Sequence, residues 1–285
     1  MKMVIRASVA ALLVMAGLGD SLQAGAWTRE AGQGFFKLGS RYVHATRYYG
    51  PAGDRLEIPT LQNFTQSFYG EYGLSGKLTV IAYLPFLQRI TLNRVVFENS
   101  GVESFPGDSK TGFADADFGI RYLLFRKGAT VFSGEVNLGL PVGDHRQANA
   151  LYTGDGEFNQ RLGLAIGHSF YPRAFYLSGF LGFNNRTGGF SDEWHYGAEA
   201  GYTFAGRATL ILRATGVESL ENGRSDSGDG NVGLFANNQR YLAFGPELSV
   251  RISDSFGVSL GVEGATRARS VLSAPAFQVG FYLAR

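Results

Sequence analysis

The feature that most constrains this chain is an alternation of polarity with period two, repeated in segment after segment of about ten residues. From Trp194 it is clean. Trp194, Tyr196, Ala198, Ala200, Tyr202 and Phe204 share one side, with His195, Gly197, Glu199, Gly201 and Thr203 on the other. From Asp115 to Phe125 it recurs, with Ala116, Phe118, Ile120, Tyr122 and Leu124 opposite Asp115, Asp117, Gly119 and Arg121. Such a segment, tilted, is about one membrane thickness. The same reading places twelve strands near 34–45, 61–73, 78–91, 112–125, 129–141, 157–170, 174–186, 193–204, 208–218, 238–251, 256–266 and 275–284. Tight turns (74–77, 126–128, 171–173, 205–207, 253–255) alternate with longer polar connections at 46–60, 92–111, 142–156, 187–192, 219–237 and 267–274. Short periplasmic turns opposite long outer loops are the layout of a bacterial outer-membrane barrel.

A soluble β-sandwich would also alternate, so the character of the two faces decides. The apolar face is large and aromatic toward its ends, as interfacial girdles require. The polar face mixes Gly, Ser, Thr and Asn with charges. In lipid every backbone group must pair inside the sheet, so the sheet has to close. The expected fold is therefore all-β: a closed antiparallel transmembrane β-barrel of about twelve strands. Composition agrees, with 40 Gly, 14% aromatics and no Cys in 285 residues. A secreted chain this long without a disulfide suits a bacterial envelope.

The first residues predict export. Lys2 and Arg6 open a basic start, Ala7 to Leu18 is apolar, and Ala24-Gly25-Ala26 follows. These are the n-region, h-region and small-residue site of a signal peptide. The apolar run is shorter than the ~20 residues a spanning helix needs. We expect residues 1–26 to be the signal peptide, with cleavage after Ala24 or Ala26, and 27–285 to be one barrel domain. The expected surroundings are outer-membrane lipid and the outer-membrane insertion machinery. A formal charge of +2 with no basic run gives no reason to expect nucleic acid.

Three stretches carry a family resemblance: Gly119-Ile-Arg-Tyr-Leu-Leu-Phe125, Gly134-Glu-Val-Asn-Leu-Gly-Leu-Pro-Val-Gly-Asp144 and Gly245-Pro-Glu-Leu-Ser-Val-Arg251. With them the chain resembles the outer-membrane barrels associated with meta-pathway phenol degradation (MetA-like transporters) and the neighbouring XagA-like proteins. Gly25-Ala-Trp-Thr and Gly32-Gln-Gly-Phe-Phe-Lys-Leu38 are similar to the start of the XagA-like group. The resemblance implies a transporter-like barrel for small hydrophobic or aromatic compounds, or a role in surface attachment. It supplies no catalytic residues. Outer-membrane barrels usually end on an aromatic residue; here Phe277, Val279, Phe281 and Leu283 keep the alternation and the chain ends Ala284-Arg285.

Turning the apolar face outward makes the lumen readable. Its acids are Glu71, Asp115, Asp117, Glu135, Glu199, Glu247 and Glu263; its bases are Lys37, Arg41, Arg89, Arg121, Arg161, Arg186, Arg213 and Arg251. Charges in a narrow barrel are costly unless paired, so these are expected to interleave as ion pairs. Tyr69, Tyr83, Tyr176, Phe180, Tyr241 and Tyr282 fall on the same face, as filling material or as walls for an aromatic ligand. Tyr48, Tyr49, Val95, Val96, Phe97, Phe105, Leu234 and Phe235 add apolar material at the outer mouth.

An enzyme needs a nucleophile, a base and a group orienting that base. Of the histidines only His195 faces inward, and no serine is placed to use it, so no enzymatic activity and no cofactor is expected. Asp226-Ser-Gly-Asp-Gly-Asn231 is oxygen-rich but lacks the bidentate Glu of a full calcium loop. Two functions remain: a narrow passive channel for small, hydrophobic or aromatic molecules, and a structural or surface-interaction (adhesion or biofilm) barrel without transport.

Overall fold

The computed structural model describes residues 25–96, 101, 103–146, 151–224 and 234–285. The expected leader up to Ala24, Phe97 and the Asp226–Asn231 loop lie outside the described residues. The strands are β1 (Gly34–Tyr49), β2 (Arg55–Ser75), β3 (Leu78–Leu92), β4 (Val95–Val96), β5 (Glu103–Phe105), β6 (Asp108–Gly112), β7 (Ala116–Lys127) and β8 (Thr130–Leu140). They continue with β9 (Asn159–Ser169), β10 (Phe175–Arg186), β11 (Glu193–Phe204), β12 (Ala208–Ser219), β13 (Arg240–Arg251), β14 (Phe256–Arg269), β15 (Val271–Leu272) and β16 (Ala276–Ala284). Twelve of them form the wall, each antiparallel to its neighbour in the order β1-β2-β3-β7-β8-β9-β10-β11-β12-β13-β14-β16. The ring closes where β16 meets β1, from Phe35 opposite Ala284 to Val43 opposite Ala276. Closure leaves the wall without a free edge, which is what lipid demands of a sheet.

The wall strands fall where the alternation placed them, and the differences are at the outer rim. β1 and β2 run on into the expected loop at 46–60 and pair almost to their tips, Tyr49 with Arg55. The expected loop at 92–111 holds the small β4–β5 pair and β6, which pairs with the outer end of β3.

Side-chain parity follows the pleat. Leu162, Leu164, Leu212 and Leu260 are 51–66% exposed on the outer surface, whereas Glu71 and Glu135 are 1–2% exposed inside. Aromatic pairs mark both ends of the apolar belt. Phe125 stacks on Phe132 and Tyr202 meets Phe204 edge-on near the short turns, and Phe183 meets Trp194 near the outer rim. One expectation is overturned. Arg89 was expected inside, but it is exposed on the outer face, while Gln88 and Ile90 turn inward. The cause is a β-bulge: the register steps from Phe68 opposite Leu84 to Gln66 opposite Leu87, so β3 spends an extra residue near Pro85. Each such residue swaps the faces of everything after it, and a bulge is where a sheet tolerates proline.

Candidate functional site: the lumen

Residues 25–33 precede β1 and fold back into the periplasmic end of the barrel. Ala26 is fully buried against Val131, Ala165 and Phe180. Trp27 lies edge-on to Tyr176 and covers Gly167, where a Cβ would meet its ring at 2.7 Å. Polar contacts tie the segment to the wall: Ser133 Oγ donates to the Ala26 carbonyl (2.6 Å), Arg121 to the Trp27 carbonyl (3.2 Å), and Thr28 Oγ1 to the Gly76 carbonyl (2.9 Å). The carbonyls of Ala26 and Trp27 are thereby satisfied where water is scarce. Arg29 Nε reaches Glu71 at 2.6 Å.

Above and beside this segment the charges interlock. Arg121 bridges Glu135 (2.5 Å) and Glu71 (3.1 Å), and Tyr69 donates to Glu71 (2.7 Å). Across the bore, Glu247 joins Lys37 (2.9 Å) to Arg213 (3.4 Å), and Arg213 also holds Glu199 (2.8 Å), which accepts from Tyr176. Arg41 pairs with Glu263 at 3.2 Å. Phe35, Tyr69, Ile81 and Tyr282 pack as an apolar layer at the periplasmic level. The lumen is filled from below.

Its outer half is not. A cavity of about 480 Å³ opens there, bordered by Arg41, Tyr83, Asp115, Arg213, Phe235 and Tyr241. Above it Leu61, Ile90, Leu92, Leu151 and Leu234 cluster with Phe105 and Phe235 packed on them, so three of the apolar residues expected at the mouth, Phe105, Leu234 and Phe235, join one cluster. Arg186 anchors the loop before β9 through Asp155 (3.3 Å), Glu157 and Glu193 (2.7 Å). Asp115, just ahead of β7, accepts from the backbone N–H groups of Gly143 (2.8 Å) and Asp155 (2.9 Å), holding the same loop down.

Burial and the neighbouring Asp155 charge push the Asp115 carboxyl up to about 7, against the pull of the two N–H donors. Burial pushes Glu157 up to about 8, with Asp155 adding to the effect and Arg186 opposing it. For a carboxyl raised on folding, the stabilising contribution is complete below the ordinary carboxylate range and is lost as pH rises through the raised value. We therefore expect the loop at Thr153 and Asp155 to loosen as pH rises from the ordinary carboxylate range up to about 7 for Asp115 and about 8 for Glu157. Amide hydrogen exchange, corrected for its intrinsic pH dependence, should rise there in the wild type and much less in Asp115→Asn. Equal pH responses in both proteins would contradict this origin.

A family model described as "Putative MetA-pathway of phenol degradation" matches residues 56–279. The chain belongs to this family. No curated protein sequence matches it. Among solved structures, the COG4313 outer membrane channel from Pseudomonas putida F1 is similar with a TM-score of 0.64 at 11% identity, covering 92% of this chain and 98% of that one. The NanC porin is similar with a TM-score of 0.52 at 7% identity, covering 86% and 98%. At such identities the likeness is one of fold: a phenol-degradation-family chain folded as an outer-membrane barrel.

Within this family member, the residues read from sequence as lumen-lining are distributed unevenly. Lys37, Arg41, Glu71, Arg121, Glu135, Glu199, Arg213, Glu247 and Glu263 form the ion-pair network. Tyr176 and Phe180 meet the N-terminal segment, and Tyr83 and Tyr241 border the cavity. Asp115 and Arg186 belong to the outer loop anchor, not to mid-strand. Asp117 and Arg161 lie on the outer half of the wall, and Arg251 sits at a periplasmic turn, donating to the Gly206 carbonyl at 2.8 Å. The sequence reading missed the plugging role of residues 25–30. Their only sequence signal, Trp27 among small residues, was absorbed by the cleavage pattern.

Proposed function

We propose that this barrel is a narrow outer-membrane channel for small hydrophobic or aromatic molecules, sitting in outer-membrane lipid after insertion by the barrel-assembly machinery. One observation carries the reading. The outer half of the lumen holds a cavity of about 480 Å³ that combines Tyr83, Tyr241 and Phe235 with a few charged groups. Sites for small organic molecules have that mixture and that order of size. A purely structural barrel has no need of such a space between two packed layers. Acids and bases are nearly matched, so strong ion selectivity is not expected; that requires rings of one sign.

The test is uptake by proteoliposomes of defined orientation, comparing toluene and phenol with a pentose of similar size. Faster entry of the aromatic solutes than in protein-free vesicles, with little pentose entry, is the expected result. Correctly inserted barrel that accelerates none of them would overturn the channel and leave the surface-interaction reading. Rapid pentose entry would make it a general porin.

A further inference from the structure

Inward-facing cations are matched by carboxylates nearly everywhere along this wall. Arg161 departs from that rule. Among the described residues no carboxylate oxygen reaches salt-bridge distance of it, and its Nε is buried without a hydrogen-bond partner. Its Nη1 stands 3.5 Å from His195 Nδ1, and its guanidinium lies over the Phe180 ring at 5.6 Å. The ring holds the cation in place without neutralising it. Directly across the strand pair sits Asn137, only 3% exposed, with both amide atoms unpartnered. On the other side Asn184 pairs in register with Arg161 and donates to Asn159 (2.7 Å), leaving its own Oδ1 unpartnered. Cross-strand neighbours on one face stand about 5 Å apart, so these groups form one patch.

Buried polar groups left unmatched on one patch call for an explanation, and an unneutralised arginine beside them names its chemistry. Asn137 Oδ1 is turned against Gly119, where a Cβ would collide with it, so Nδ2 is the atom left to face another partner. We infer that Arg161, with Asn137, forms a binding site for the carboxylate of a small organic acid. Guanidinium N–H and amide N–H donors at this spacing suit the two oxygens of one carboxylate, and charge-assisted bonds of this kind are the strong ones. Asp117 on β7, Glu135 on β8 and Glu193 on β11 are acids that flank the patch, and Glu135 is already held by Arg121. Glu193 is already held by Arg186 and His195, and Asp117 attracts Arg161 only from beyond contact. Arg161 and His195 are partly open to the lumen, which gives a solute access. The inference rests on the lumen being a solute path.

The test uses benzoate as probe and benzyl alcohol as its uncharged counterpart, titrated calorimetrically into the folded full-length barrel in detergent. Benzoate should bind saturably, and benzyl alcohol should not displace it. Losing a hydrogen bond to a charged group should weaken benzoate about ten-fold or more in Arg161→Gln. Asn137→Ala should weaken it less, and Arg161→Lys should retain part of the affinity. Arg251→Gln, which loses the same charge at the periplasmic turn, should bind as the wild type does. Retention of the heat-modifiable folded band on gels shows that each variant is a closed barrel. No saturable benzoate binding, or equal affinity in wild type and Arg161→Gln, overturns the site. If benzoate binds but no solute crosses proteoliposomes, the channel reading fails and the site stands. If aromatic solutes cross while Arg161→Gln leaves benzoate binding unchanged, the site alone fails.

Discussion

Deleting Trp27–Glu30, with the expected signal peptide 1–26 kept, should raise single-channel conductance several-fold. With Ala26, the segment occupies the periplasmic half of the bore through buried contacts with Val131, Ala165, Phe180 and Tyr176. Eight strands give an interior just filled by side chains and sixteen leave an aqueous channel, so a twelve-stranded bore needs added material to close. Taking the segment out removes that material together with Arg29, a partner of Glu71. The remaining excess of buried carboxylate should shift the current toward cations. Planar-bilayer recording of wild type and deletion measures both changes. An unchanged conductance would show that the ion-pair layer alone limits the path.

Arg121→Ala should be the most destabilising single change in the wall. Arg121 is 1% exposed and bridges two carboxylates, Glu71 and Glu135, that are themselves almost wholly buried. Removing one partner of a buried ion pair strands the others, at a cost of about 3–5 kcal/mol. The Trp27 carbonyl also loses a donor, so the N-terminal segment loosens with it. Urea unfolding in lipid vesicles should show the loss. The triple change Arg121→Met, Glu71→Gln, Glu135→Gln should recover much of it, because it removes the charges instead of stranding them. A loss in Arg121→Ala no larger than that of an exposed arginine such as Arg47 would show that the triad adds little to stability.

Much of the barrel was legible because a pleated strand writes its environment into alternate residues. Leu210, Leu212 and Arg213 announce which way each faces, and tight turns such as Ala205–Arg207 announce where the chain reverses. These are local signals, read within one segment at a time. The bulge at Pro85 shows their limit. Alternation is still present after it, but its phase has changed, and Arg89 goes outward with the new phase.

What each charge meets is not a local property. Lys37 and Glu247 touch across 210 positions of sequence, and only the closure of β16 on β1 brings their strands near each other. The Arg121 triad draws on β2, β7 and β8, and its neighbour Arg29 on a segment that belongs to no strand. The sequence by itself determined the strand count, the two faces and the sides on which turns and loops lie, because period and turn chemistry act over a few residues. The tertiary structure alone decided that residues 25–30 occupy the bore, that the loops cap a cavity, and that Arg161 meets no carboxylate among the described residues. Those outcomes depend on which surfaces face one another once the sheet has closed, and a one-dimensional pattern carries no record of the space inside a cylinder.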